Sequence, residues 1–499
     1  MNLIAKTFQG LEPILAQELT ELGASDIQIG RRMVSFSGDK EMLYRANFCL
    51  RTAIRVLKPI KQFKARSADD VYEAVKGIDW SQYLSTNDTF AVDSVVFSPE
   101  FRHSKFVAYK VKDAIADQFR EKTGTRPNVS VSNPDIQLHI HISDYDATLA
   151  LDSSGESLHR RGYRHDAVAA PINEVLAAGI LLMAGWHGQS DLLDPFCGSG
   201  TFCIEAALIA CGIYPGVFRK GYAFERWRDF DADMLSRIYE DDSAERPFEH
   251  HIYGRDVDPK AVAIAQANVR AARMMQHISI EEADFMNSPL EPSNSTSHPL
   301  IITNPPYGQR ITSPDLLGLY KMIGQRLKRE HAGGEAWILS MNEECFEAIG
   351  LKPSLKTPLY NGSLECELRK YVLFEGRLEH HRASGGTVKT DAERRQMATQ
   401  KRHFKKPFDN ERREADDNHF NRFSRRERED DAKHHFRRNE RNEERREDRR
   451  EGRREDRRED RREGKQYSNR HDYHQQGDTR AQRQDARRKF FGRGGRRGS

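Results

Sequence analysis

The string Asp194-Pro-Phe-Cys-Gly-Ser-Gly-Thr201 joins an apolar strand-like run, Asp191 to Phe196, to an apolar helix-like run, Thr201 to Ala210. Gly198 and Gly200 let a backbone leave a strand, turn tightly and enter a helix while staying open to close approach by a ligand. No other stretch of the 499 residues limits the fold as much. A strand that passes directly into a long helix needs a further parallel strand beyond it, with the helix packed on the sheet face.

Those further strands are legible. His251 to Val257 reads as a strand, Pro259 to Arg273 as a helix, and Ile278 to Glu281 and Leu300 to Thr303 as strands. With the helix-like Ile172 to Trp186 ahead of the glycine turn, the period indicates a parallel, doubly wound α/β sheet of Rossmann-like type. The N-terminal part follows a different rhythm. Strand-like runs at Leu3 to Ala5, Met33 to Phe36, Ala53 to Ile60 and Thr89 to Phe97 are mixed with helical stretches at Leu11 to Leu22 and Ser104 to Phe119. Ile136, Leu138, Ile140 and Ile142 alternate with polar residues, and Ala147 to Leu151 is the expected antiparallel neighbour across the Asp144-Tyr145 turn. The expected organisation is an α+β, ferredoxin-like part at 1–44, a second α+β part at 45–155, the Rossmann-like domain at 156–376 and a tail at 377–499.

The formal charge of +4 conceals a division along the chain. From Arg382 onward 38 Lys and Arg face 25 Asp and Glu, a net of +13, which leaves 42 against 51, a net of −9, for the rest. Arg445 to Gly464 is a tetrapeptide array of two arginines followed by two acids or an acid and a glycine, and Phe490 to Gly498 is RGG-like. With aliphatic residues nearly gone, such a tail is expected to be disordered. It is either an electrostatic partner for polyanions or largely self-neutralised by its own acids. The six cysteines form no CxxC pair and read as reduced thiols of a cytoplasmic protein. No apolar run reaches the ~18 residues of a membrane span, no signal peptide is legible, and neither a metal site nor a membrane partner is expected.

The chemistry lies in four places. Asp194, with Pro195 beside it, can accept from an amine or brace the glycine loop. Gly254-Arg-Asp-Val-Asp-Pro259 ends the next strand, where an acid in dinucleotide-type folds holds ribose hydroxyls. Asp258, followed by proline, has the form of a helix N-cap, which favours Asp256 as the ribose acceptor. Asp284 and Phe285 follow the third strand, placed to accept from an adenine amine and pack on its face, or to be a solvated turn. Asn304-Pro305-Pro306-Tyr307 ends a fourth strand. An amine on an aromatic ring is a poor nucleophile because its lone pair is delocalised. The Asn304 oxygen and the Pro305 carbonyl can accept its two hydrogens, the prolines stiffen the loop and remove competing donors, and Tyr307 can stack on an extruded base. This set suits methyl transfer to a planar exocyclic amine.

These residues resemble the THUMP-domain class I S-adenosylmethionine-dependent RNA methyltransferases, in particular bacterial 23S rRNA guanine-N2-methyltransferases of the RlmL type. The likeness runs from Ala5 to about Phe374 and includes Phe8-Gln-Gly-Leu-Glu-Pro13, Leu158-His-Arg-Arg-Gly-Tyr-Arg164, Ala170-Pro-Ile-Asn-Glu174 and Thr303 to Gln309. It implies S-adenosylmethionine as cofactor, lined by Asp194, Pro195, Gly198 and Gly200, with Asp256 on the ribose and Asp284 and Phe285 near the adenine. It implies Asn304, Pro305, Pro306 and Tyr307 at the target amine, and RNA, 23S rRNA or a large-subunit precursor, on the THUMP part. Arg160, Arg161 and Arg164 at the junction would meet RNA or serve as structural ion pairs. Well-known members carry a second methyltransferase domain where this chain has its charged tail, so a single methylation is expected. Adenine-N6 methylation of RNA or DNA, and a non-catalytic ribosome-assembly factor, are the rival readings.

Overall fold

In a computed structural model, residues 1–168, 171–289, 298–307, 316–362, 364–374 and 376 are described. The tail from 377, Ala170, and Gly308 and Gln309 lie outside them.

The chain begins with β1 (Asn2–Lys6), α1 (Glu12–Glu21), β2 (Ser25–Gly30), β3 (Met33–Ser37), α2 (Lys40–Cys49) and β4 (Arg55–Lys64). It continues through α3 (Ala68–Lys76), β5 (Thr89–Phe97), α4 (Ser104–Thr123), β6 (Asn128–Val129), β7 (Ile136–Ser143) and β8 (Asp146–Asp152). All eight strands form one sheet in the order β2-β3-β1-β4-β8-β7-β5-β6. The alternation at Ile136 to Ile142 puts its isoleucines and leucine in the core, as expected, and β8 pairs antiparallel across the turn. Strand β4 is shared: it pairs with β1 on one side and β8 on the other, so the ferredoxin-like part and the part that follows have no gap between their sheets. A boundary between residues 44 and 45 falls inside α2.

The second sheet is built from α5 (Glu174–Met183), β9 (Leu192–Asp194), α6 (Thr201–Ala210), α7 (Ala232–Glu240), β10 (Ile252–Asp256), α8 (Pro259–Ala271), β11 (Ile278–Glu282) and β12 (Leu300–Thr303). After these come α9 (Leu316–Glu330), β13 (Glu335–Ser340), α10 (Glu343–Ile349), β14 (Leu355–Asn361) and β15 (Leu364–Val372). The order is β11-β10-β9-β12-β13-β15-β14. Five strands are parallel, but β15 runs antiparallel between β13 and β14. The parallel, doubly wound sheet is present from β11 to β13, and β15 departs from it: a short hairpin follows β14, and a chain that reverses so tightly can only pair antiparallel. The sheet changes direction between β9 and β12, the switch point at whose carboxyl end open α/β sheets open a ligand crevice.

Two devices tie the halves together. Residues 212–250, between α6 and β10, carry aromatic and aliphatic side chains that leave their own sheet. Val217, Tyr222, Phe224, Trp227, Leu235, Ile238 and Tyr239 join the core of the first sheet, where Tyr44 stacks on Phe224 with ring centroids 4.2 Å apart. The second device is charged. Arg161 is 1 % exposed, and its Nε lies 3.3 Å from Glu205 Oε1 on α6, itself fully buried. Arg161 also donates to the carbonyls of Leu158 and Arg51, and Tyr163 donates to the same Glu205 oxygen at 2.8 Å. Arg51 and Thr52 in turn donate backbone N–H groups to Glu18 of α1.

Arg161→Leu leaves the Glu205 carboxylate buried without its cation, and loss of about 3–5 kcal/mol of unfolding free energy is expected for such a break. Arg160→Ala, at a side chain 68 % exposed, should stay within about 0.5 kcal/mol of the parent. Urea denaturation of both variants measures the contrast, and equal small losses would show that the buried pair does not hold the junction.

Candidate active site

The glycine turn takes the shape its sequence suggests. Gly198 sits at φ +53° and Gly200, the residue capping α6, at φ +79°, backbone geometry that favours glycine. A Cβ at Gly200 would press on Ala265 of α8 at 3.3 Å. The turn is sewn to β10: Cys197 donates to the Arg255 carbonyl at 2.8 Å, and the Gly198 N–H donates to Asp256 Oδ2 at 2.9 Å. Asp258 caps α8 by accepting from Lys260 N at 3.0 Å, with Pro259 at the first helical position. Asp256 is half-buried and also accepts from Asp258 N at 3.0 Å. Each of its oxygens keeps a further lone pair for a hydroxyl.

Asp194 is 1 % exposed and braces rather than projects. Its Oδ1 accepts the Thr303 hydroxyl at 2.6 Å and the Phe196 N–H at 3.2 Å. Its pKa is raised from 3.8 to about 7, chiefly by burial, against the pull of the two hydrogen bonds and with a smaller push from the Asp256 charge. Because Thr303 immediately precedes Asn304, this bond joins the carboxyl ends of β9 and β12, and with them the two motifs. Pro195 is buried beneath the turn.

The Asn304 loop is pinned at three points. Thr303 is its start. In its middle the Pro306 carbonyl accepts from Tyr320 of α9 at 3.3 Å, and Tyr320 donates also toward Ser340 at 3.1 Å. At its end the Tyr307 hydroxyl accepts from Asn361 Nδ2 of β14 at 3.2 Å, with Cys366 Sγ of β15 3.9 Å away. Burial is the main cause that moves the Tyr307 pKa well above its usual value. Pro305 is buried. The Asn304 Oδ1 is buried and accepts no hydrogen bond from the described residues. A buried acceptor left without a donor costs about 1–3 kcal/mol unless something fills it.

The structure decides how three of these side chains are used. Phe285 is a core residue at 8 % exposure; its ring meets Phe196 at 4.9 Å and the Arg326 guanidinium at 5.1 Å, so its faces serve packing. Arg161 is the buried partner of Glu205 described above. Arg164 donates to the Ile172 carbonyl and to Thr201 Oγ1 at the start of α6, and lies 3.4 Å from Glu174 Oε1. Both arginines are held by acids and carbonyls the chain itself supplies, leaving Arg160 as the exposed member of the three. Asp284 is half-buried and closes its own turn, accepting from Met286 N and Asn287 Nδ2.

Some contributors gave no signal in sequence. Asn268, one polar residue on an amphipathic helix, is 1 % exposed and clamps the glycine turn. Its Nδ2 donates to the Ser199 and Asp166 carbonyls, both at 3.1 Å, and its Oδ1 accepts from His165 N at 3.2 Å. Tyr320 and Asn361 lie far along the chain from the loop they hold, and no spacing rule reaches them.

A glycine turn at a switch point, an acid on the next strand and a pinned Asn-Pro-Pro-Tyr loop define a class I methyltransferase site. Residues 161–370 match the RMKL-like methyltransferase domain, 65–152 the THUMP domain and 2–57 the RlmL ferredoxin-like domain. A Synechocystis sp. protein provisionally named an RNA methyltransferase is 39 % identical over 377 residues, covering 74 % of this chain and 96 % of that one. The ribosomal RNA large subunit methyltransferase K/L of Syntrophotalea carbinolica is 39 % identical over 386 residues, covering 76 % of this chain and 54 % of its own length. The chain thus spans about half the length of the K/L relatives it matches. Among solved structures, a possible methylase from Clostridium difficile 630 superposes with a TM-score of 0.68 at 29 % identity, covering 75 % of this chain and 99 % of that one. A provisionally named methyltransferase solved with SAH gives 0.67 at 29 % identity, with the same coverage. This protein belongs to the family of methyltransferases that join a RlmL ferredoxin-like part, a THUMP domain and an RMKL-like methyltransferase domain. Among the described residues no helix is long and apolar enough to cross a membrane, and all six cysteines are free and buried.

The raised Asp194 pKa carries a sign. The folded carboxyl keeps its proton to higher pH than the unfolded one, so its contribution to stability is fully present below 3.8 and is lost as pH rises to about 7. Asp194→Asn removes this dependence. The stability of the variant relative to the parent should rise across that window, by at most about 1.4 kcal/mol per pH unit, and level off above it. Chemical denaturation at a series of pH values measures the difference, and a flat difference would contradict the assignment.

Proposed function

We propose that this chain transfers a methyl group from S-adenosylmethionine to the exocyclic N2 amine of a guanine in 23S rRNA or a large-subunit precursor, in the cytoplasm. The observation that carries the reading is the buried Asn304 Oδ1, without a partner among the described residues, at the end of the strand beside the glycine turn. An acceptor in that place calls for a donor such as an amine. The K/L relatives support rRNA as the substrate class, and the THUMP domain supports RNA.

The residues fit the cofactor. Gly198 and Gly200 themselves put no side chain on the turn at the carboxyl end of β9, and Asp256 retains acceptor capacity for a ribose at the end of β10. When bound, S-adenosylmethionine supplies an electrophilic methyl group on a sulfonium centre. The chain's own part is to hold the amine. Asn304 Oδ1 accepts one amine hydrogen and the Pro305 carbonyl the other, which draws the nitrogen toward a tetrahedral shape and localises its lone pair. Proline at 305 and 306 supplies no N–H to compete for those acceptors. Tyr307 offers a ring against an extruded base. The methylated amine is far more acidic than its parent while it carries the extra proton, so that proton leaves to water without a strong general base.

The test is transfer of labelled methyl to protein-free 23S rRNA lacking this modification, followed by digestion to nucleosides. Label is expected in N2-methylguanosine, with Asn304→Ala slower by about a hundredfold, as for removal of one preorganised polar contact. Label in N6-methyladenosine would overturn the substrate, and unlabelled RNA with cofactor binding intact would point to an assembling particle as the substrate or to a non-catalytic assembly factor.

A further inference from the structure

A lysine seldom gives up water without an acid beside it, and Lys6 does so. It ends β1, where alternation sends Leu3 and Ala5 into the core with α1 and α2 and turns Ile4 and Lys6 to the other face of the sheet. Its cross-strand neighbours there are Met33 on one side and Arg55 on the other. A like charge directly opposite is unfavourable, and the nearby acids are engaged elsewhere. Asp152 is taken by Arg55, and Glu12 accepts the backbone N–H groups of Gly10 and Arg32 at 2.7 and 2.8 Å. The half-buried Lys6 ammonium makes no hydrogen bond and no ion pair among the described residues. Burial, and after it the Arg32 charge, lowers its pKa.

The turn next to it adds further cations. Arg31 and Arg32 join β2 to β3, and the Arg32 carbonyl accepts from the N–H of Thr7, the residue after Lys6, at 3.0 Å. Arg32 adopts φ +56°, a left-handed conformation that costs an L-residue about 1–2 kcal/mol and that glycine takes freely. Arg31 is exposed and also lacks an ion pair among the described residues. This corner of the sheet adjoins the amine site. Past Lys6 the chain runs to Gly10, where a Cβ would come within 2.9 Å of the Pro358 carbonyl and of Leu359 on β14. Two residues beyond Leu359, Asn361 donates to the Tyr307 hydroxyl.

We propose that Lys6 and Arg31 form a phosphate-binding corner on the ferredoxin-like part, which holds the sugar-phosphate backbone of the RNA strand that carries the target base. A half-buried ammonium without a counter-ion calls for an anion, and the contact with β14 sets this one beside the strand that holds the amine loop. Phosphate contacts fix where a strand lies without reading its sequence, so the corner positions the RNA while the amine site does the choosing. The inference rests on the reading of RNA as the substrate.

The test is binding of the full chain to protein-free 23S rRNA lacking the modification, at about 50 to 200 mM salt. Lys6→Met keeps an apolar stem and removes the charge, and Arg31→Ala removes the other. Each is expected to weaken binding about fivefold at about 0.1 M salt and to make the slope of log affinity against log salt shallower by about 0.7–0.9, the share of one phosphate. The pair should flatten it by about twice as much. S-adenosylhomocysteine affinity stays as in the parent, and the melting temperature of Lys6→Met equals or exceeds the parent's, since a half-buried unpaired charge is gone. Lys64→Ala, at an exposed lysine of the same sheet already paired with Asp146, should leave the slope unchanged. Weaker binding with an unchanged slope and a lower melting temperature would give Lys6 a structural role and overturn the inference. So would unchanged affinity in both variants, as when acids of the chain's own tail fill the corner. A parent chain that binds this RNA with the expected salt response but methylates no base amine would overturn the function and leave the corner in place. A parent chain that binds no RNA would overturn both.

Discussion

The hydrogen bond from the Thr303 hydroxyl to Asp194 Oδ1 is the contact on which the site depends. Parallel pairing brings β9 and β12 side by side only as far as Ile301 beside Leu193. Past that rung the backbones diverge, one into the glycine turn and the other into the Asn-Pro-Pro-Tyr loop. The buried bond bridges the divergence one residue before each motif begins to act. A hydrogen bond to a buried carboxyl contributes about 0.5–1.5 kcal/mol while the group is neutral and about 1.5–3 kcal/mol once it is ionised, and it is directional. It therefore fixes the spacing between the place where a cofactor is cradled and the place where an amine is received. Neither motif could set that spacing alone.

Around this bond the molecule is built in concentric supports. Asn268 ties the glycine turn to the connecting segment at His165 and Asp166. Arg164 ties the same segment to the first residue of α6. Beyond them Arg161 and Glu205 couple α6 to the N-terminal module, where Arg51 and Glu18 continue the buried polar chain. Aromatic residues of the 212–250 segment add apolar adhesion to that module. The part that meets RNA in the proposed function is thus held at a fixed place relative to the chemistry, and a substrate engaged by one is presented to the other.

How much of this was legible varied with how local the cause was. The helix at Thr201–Ala210 and the strand at Leu300–Thr303 were read to the residue, because glycines, prolines and apolar runs mark them within a few positions. The N-cap role of Asp258 was read for the same reason. The sequence leaves Arg161 and Arg164 open between RNA contacts and ion pairs and sets Phe285 against the cofactor, since a charged or aromatic residue near a motif looks alike in sequence whether it faces solvent or the core. What distinguishes them is a partner over 40 residues away in the cases of Arg161 with Glu205 and Phe285 with Arg326. The aromatic residues of the 212–250 segment were silent because their periodicity answers to a sheet built from another part of the chain. Antiparallel β15 escaped because strand direction is a property of the connection, not of the strand.

The most direct test of the account is a structure of the full chain with S-adenosylhomocysteine and a guanine-bearing substrate RNA, read for a single distance. The account predicts the guanine N2 within hydrogen-bonding reach, about 3 Å, of Asn304 Oδ1, with the Thr303–Asp194 bond intact. A base amine seated elsewhere, or an Asn304 amide turned with its nitrogen toward the base, would contradict it.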